Sequence, residues 1–297
     1  MRAWRSILNL LLKLVLALLA IAISVAAFRF GVLALIAYRM APESALIAVL
    51  RPIGTIGSAL LGYWLFVKLY ERRPASELAL RPLPMIVAAL FGGVLILVTI
   101  LPLFAMGYYE LQHYRGFAGV PRVMAYIFFA ALLEELVFRG VIFRLLEQHS
   151  GTVRALLIQS AIFGGLHLFN SDATTMTILS VSLLGVFWTM IFVYSRNLWV
   201  VTCNHAAWNT VIFLSGIPLS GTQEWRTSAP FESGYEGPVL LTGGGFGPED
   251  SIINVLFMAL AFSGMMVFAR RNKLIVRGRE RGVEPSVSTT PSCRSDA

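Results

Sequence analysis

The chain has 297 residues, a net charge of +8 from 24 Lys+Arg against 16 Asp+Glu, and 57% hydrophobic but only 13% charged residues. Soluble domains carry about 25% charged residues, so too few charges remain to cover a globular surface. An ordinary soluble enzyme, a disordered chain and a nucleic-acid binder with a broad basic face are excluded. The composition is that of an all-α, polytopic helix bundle whose partner is the lipid bilayer. The basic excess reads as cytoplasmic anchoring, with no nucleic acid as partner.

A spanning helix needs roughly 20 mostly apolar residues. Runs of that kind predict about eight spans, at residues 14–28 (extended back through 10–12), 52–67, 82–109, 123–146, 155–170, 173–195, 197–215 and 251–269. The first has a basic start and small residues at 24–27, as a cleaved signal peptide has. Its apolar run, however, exceeds the roughly 7–15 residues of a signal core, so it reads as a span. Eight spans put both termini on one side. With that side cytoplasmic, most Lys and Arg fall on it, and only Arg29, Arg39, Arg51, Arg115, Arg122 and Arg226 lie opposite. The split follows the positive-inside rule.

Residues 1–277 therefore form a transmembrane helical domain with its core at about 123–215. Residues 216–250 form an external loop rich in Gly, Ser and Pro. Its run Gly243-Gly244-Gly245-Phe246-Gly247 lacks the Lys-Ser/Thr of a phosphate loop and reads as a flexible connector. Residues 278–297 read as a disordered cytoplasmic tail. Two cysteines make no disulfide framework, and Cys293 stands fifth from the last residue, where a prenylation box needs its cysteine fourth. The absence of an internal repeat gives no support to an inverted-repeat transporter.

The fourth span holds charges that an apolar helix should not. A charge at the bilayer centre costs roughly 2.5–3.5 kcal/mol on insertion scales. Arg139 stands one turn after Glu135, with the acid N-terminal to the base, the favoured order for an intrahelical pair. Glu134 is turned about 100° away from Glu135 and remains free for another role. In the fifth span Phe163 and His167 share one face, beside the pair Gly164-Gly165 that would let a neighbouring helix approach closely. In the seventh, His205 and Asn209 share a face and both can donate hydrogen bonds. Counted at 1.5 Å per residue, these groups lie at similar depths. The three helices are expected to pack mutually around a wet cavity. Acid–base hydrolysis, metal binding and proton relay all suit such a set.

The stretch Glu134-Glu135-Leu136-Val137-Phe138-Arg139 matches EExxxR, Phe163 with His167 matches FxxxH, and His205 with Asn209 matches HxxxN. In that order, on three helices, they resemble the CAAX protease and bacteriocin-processing family of intramembrane proteases, which includes the type II CAAX prenyl endopeptidases. Glu71-Arg72-Arg73-Pro74 before a Leu/Pro-rich stretch is also similar to its bacterial members. The resemblance implies an endopeptidase acting on a membrane-associated peptide or protein, prenylated or CAAX-like. It implies that Glu134 and His167 activate a water, that His205 and Asn209 stabilise the oxyanion, and that Glu135, Arg139 and Phe163 support them. A His₂Glu zinc site from His167, His205 and Glu134 is the alternative. HExxH is absent and the histidines lie on different helices, so the favoured expectation is no cofactor. A proton-coupled transporter using Glu134, His167 and His205 as relay groups, or a non-catalytic membrane scaffold, are the other readings. The topology suits a bacterial inner membrane.

Overall fold

The computed structural model describes residues 2–40 and 45–278. The tail expected to be disordered, from 279 onward and including Cys293, lies outside the described residues. The fold is an all-α bundle with a single two-stranded ribbon among those residues. Eight long helices build it. α1 covers 2–39 and α2 covers 45–70, each with a π-helical segment. α3 is Pro82–Ala105. α4 covers 120–150, with a π-helical stretch over Leu136–Phe143. α5 is Thr152–Leu166, prolonged by a 3-10 turn His167–Phe169. α6 is Thr175–Ser195, α7 is Leu198–Leu214 and α8 is Ile252–Arg271.

α1 runs eleven residues beyond the expected end at Phe28, because Arg29 keeps its side chain exposed and an exposed charge does not end a helix. α2 starts before the expected Pro52 and carries that proline inside it. Among the described residues, six helices are long and apolar enough to cross a membrane: α1, α2, α3, α5, α6 and α8. The other two, α4 and α7, stand where spans are expected but differ in kind. α7 has 17 residues, and α4 carries Glu134, Glu135, Arg139 and Arg144. The chain is an integral membrane protein.

Both described ends of the chain lie at one end of the bundle. The Ser6 hydroxyl is 3.3 Å from His149 Nδ1, and Arg277 pairs with Gly151. At the opposite end, β1 (Glu110–Tyr114) pairs antiparallel with β2 (Phe231–Gly234). The glycine run 243–247, expected to be a flexible connector, instead belongs to a folded segment, 216–250. The segment folds into short helical turns, buries Ile217, Leu219, Ala229 and Phe246, and caps the bundle as a roof. Phe246, within the glycine run, is turned inward, and its carbonyl accepts from the Gly221 N–H at 3.0 Å.

α6 is the central element. It packs on α5, α7 and α8, while α4 and α3 pack on α7. Of the fourth, fifth and seventh spans, expected to pack mutually, α4 packs directly on both α5 and α7, while α6 lies between α5 and α7. Of the glycine pair on α5 only Gly164 serves this packing. A Cβ on it would come within 2.7 Å of the Ile178 carbonyl of α6, whereas one on Gly165 would meet nothing within 4 Å. Gly164→Ala is expected to cost about 1–3 kcal/mol through overpacking, and Gly165→Ala much less. Thermal unfolding of the two variants in detergent checks this. Equal midpoints would contradict the packing account.

Candidate active site

The site begins with a carboxylate that has no contact with water. Glu135 is 0% exposed, as is Arg139 one turn below it, and the two pair at 3.0 Å. Each of the three guanidinium nitrogens of Arg139 donates a hydrogen bond. Nε donates to Thr189 Oγ1 at 3.2 Å and Nη2 to the Gly185 carbonyl at 2.9 Å, both on α6. Its guanidinium lies 5.0 Å from the centre of the Phe163 ring, so an α5 aromatic closes the remaining face. Burying an ion pair is tolerable only when its further hydrogen bonds are made, and here they bind α4 to α6 and α5.

The same Glu135 oxygen has a second partner. Oε1 accepts from His205 Nδ1 at 2.8 Å. Sequence reasoning assigned Glu135 to Arg139 alone and missed this bond, which joins residues 70 positions apart. The His205 ring is also stacked on Trp188 of α6, with centroids 3.6 Å apart and planes at 22°. Trp188 in turn donates to Asn204 Oδ1 at 3.2 Å. The ring is thus held on an edge and a face, and its Nε2 stands 3.9 Å from Glu134 Oε2.

Glu134 divides from its neighbour as expected. Its side chain is 36% exposed, against 0% for Glu135. The π-helical stretch that follows the pair frees the Gly140 carbonyl, which accepts from Arg144 Nε at 2.8 Å and the Tyr63 hydroxyl at 3.1 Å. Arg144 also pairs with Glu71 at 2.9 Å, so the Glu71–Pro74 stretch anchors the lower end of this helix. His167 lies at the end of α5. Its Nδ1 is 2.8 Å from the Phe163 carbonyl. A carbonyl can only accept, so Nδ1 carries the proton and Nε2 keeps its lone pair. The ring rests 4.6 Å from that of Phe163, which is therefore wedged between His167 and Arg139.

Glu134, His167, His205 and Asn209 all line one cavity of ≈ 70 Å³, room for several waters. Asn209 Oδ1 is buried there without a hydrogen-bond partner, an acceptor left for something other than the protein. Among the described residues, no group of three His, Cys, Asp or Glu side chains is disposed to hold a metal ion. The roof contributes Leu219, Ser220, Thr222, Trp225 and Glu249 to the cavity wall, and α6 contributes Val181, Leu184 and Trp188. Glu249 was missed by sequence reasoning. The only signal was the pair Glu249-Asp250 just before the last span.

These motifs sit in one continuous stretch. Residues 116–211 match the family model described as type II CAAX prenyl endopeptidase Rce1-like. That part of the helical core is similar to an Rce1-like domain. The matched stretch runs from just before α4 into α7 and contains Glu134, Glu135, Arg139, Phe163, His167, His205 and Asn209. The roof, α8 and the first three helices lie outside it. The matched family is described as one of endopeptidases, which are hydrolases. No curated protein and no solved structure matched the chain.

Two predictions follow from the charges around the cavity. Glu135→Gln leaves Arg139 buried without its anion, which costs about 3–5 kcal/mol; an unchanged unfolding midpoint in detergent would contradict the ion-pair account. Glu249 provides the pH dependence. Burial pushes its carboxyl up to about 7, against the lowering effects of the Ser220 hydroxyl and the His205 ring, with nearby Asp250 adding to the rise. Between its ordinary value of 4.5 and about 7, the folded chain holds a proton that the unfolded chain has released. Its contribution is fully present below 4.5 and is lost as pH rises through about 7. The unfolding midpoint of the wild type should therefore fall relative to Glu249→Gln from about pH 5 to about pH 8. Parallel curves would contradict the assignment.

Proposed function

We propose that this protein is a metal-free intramembrane endopeptidase cleaving a membrane-associated peptide or protein, prenylated or CAAX-like, in a bacterial inner membrane. The observation that carries the reading is the convergence of Glu134, His167, His205 and Asn209 on one small cavity, with the Nε2 lone pair of His167 uncommitted. Glu134 and His167 together take a proton from water, whose oxygen attacks the scissile carbonyl carbon. His205 and Asn209 hold the oxyanion, a term worth roughly 2.7–4 kcal/mol per donor. For His205 this requires a proton on Nε2 as well as on Nδ1, with Glu135 holding the Nδ1 edge.

The zinc alternative would draw on His167, His205 and Glu134. The metal-free reading is supported by the lack of a convergent three-ligand set among the described residues; the engagement of both Nδ1 atoms with protein acceptors suits either mechanism. A hydrolysis assay on purified protein, with farnesylated and unfarnesylated CAAX peptides, tests the whole proposal. Glu134→Gln should abolish cleavage with the unfolding midpoint kept, and His167→Ala and Asn209→Ala should lower the rate by about 10²–10⁴ and 10²–10³. EDTA should leave the rate unchanged. Wild-type activity in Glu134→Gln would sink the role assignment, and apo-protein regaining activity only on metal addition would replace it with the zinc mechanism.

A further inference from the structure

The cavity holds a second carboxyl group whose surroundings are the reverse of the first. The Glu134 side chain is 36% exposed. Glu249 is 2% exposed, accepts from the Ser220 hydroxyl, and has no arginine or lysine among the groups that shape its charge. Its place is built by its neighbours. Gly247, at φ 115°, turns the chain into the 3-10 turn Pro248–Asp250. Asn254 of α8 donates to the Glu249 carbonyl at 2.9 Å. Asp250, the next residue, accepts from Thr177 and Ser180 at the start of α6. Asp250 ties the turn outward to α6, and Glu249 is turned into the cavity. The titratable groups it shares that space with are Glu134 of α4, His167 at the end of α5 and His205 of α7.

Two carboxyl groups in contrasting environments suit opposite roles in one reaction. Resting on the endopeptidase reading, we propose that Glu249 is the proton donor to the leaving amine of the scissile peptide bond. Water yields its proton to Glu134 as its oxygen bonds to the carbonyl carbon. The C–N bond then breaks with its electron pair staying on nitrogen, and that nitrogen takes the proton of the Glu249 hydroxyl. The products are a carboxylic acid and an amine. The proton on Glu134 passes through cavity water to the Glu249 carboxylate, which resets both groups with no net proton change. A single carboxyl would have to serve both the water and the nitrogen; a second one on the roof removes that demand. Burial keeps the donor charged with its proton up to about pH 7.

The test compares the peptide cleaved best in the assay above with its depsipeptide counterpart, in which oxygen replaces the scissile N–H. An ester oxygen leaves without prior protonation far more readily than an amide nitrogen. Glu249→Gln should slow amide cleavage by about 100-fold or more and ester cleavage by no more than about fivefold. It should also remove the fall in amide kcat on the alkaline side of the wild-type pH profile. Equal slowing of both substrates, or no slowing of the amide, overturns the proposal, the ester rate serving as the check that the variant site is folded. Glu134→Gln, expected to be inert on both substrates, tests the water-activating role separately. An inert Glu134→Gln beside a Glu249→Gln slowed equally on both would overturn the donor role alone, and a wild type inert on both would sink the endopeptidase reading itself.

Discussion

One carboxylate oxygen, Glu135 Oε1, holds this site together. It takes a hydrogen bond from Arg139 and another from His205, so a single buried anion binds two neighbouring turns of α4 to α7. The cost of burying it is offset by the bonds made to Oε1, while Oε2 of the same carboxylate is buried without a hydrogen-bond partner. Arg139 extends the same contacts to α6, and its open face is closed by Phe163 of α5. Four helices thus meet at one charge pair. Glu134, the adjacent residue, is placed by that pairing without taking part in it. The rigid acid and the reactive acid are consecutive in the chain, and the helical turn of about 100° per residue separates them.

The division of labour continues in the aromatic residues. Trp188 fixes the plane of His205 and Phe163 that of His167, so neither imidazole relies on water for its orientation. Sites set on helices and locked by such packing hold their geometry better than sites on loops. The roof adds a wall that comes from neither of the neighbouring catalytic helices. It is pinned at the ribbon by β1 and at α6 by Asp250, two attachments far apart in sequence.

Much of this was legible from the residues because its spacing is local. The Glu135–Arg139 pair, the Phe163–His167 contact and the shared face of His205 and Asn209 all lie four residues apart on a helix. The parts that escaped depend on distance along the chain or on burial. Nothing in the sequence brings Glu135 to His205. α6 reads as one apolar span among several, and its centrality appears only in the 72% burial of its most apolar window, against 11–39% in the other spans. The roof lacks any hydrophobic period, and its glycines, which read as freedom, in fact permit a tight fold around Phe246. The π-helical stretch of α4 has no sequence signature at all.

That stretch gives α4 a fixed rotational phase. Above it stand Glu134 and Glu135; below it stands Arg144, clamped to Glu71 and to the Gly140 carbonyl. The two halves are held independently, so the number of residues between them is itself a constraint. Losing one residue from Leu136–Phe143 would hardly alter the helix's hydrophobicity or length. Unless the stretch closed to α-helix, whose hydrogen-bonded turn is one residue shorter, it would nonetheless turn one half against the other by about a quarter of a turn, setting Glu134 against packed side chains and carrying Glu135 away from His205. Residue count across this segment, rather than the identity of most of its side chains, keeps the helix's reactive face in register with the rest of the bundle.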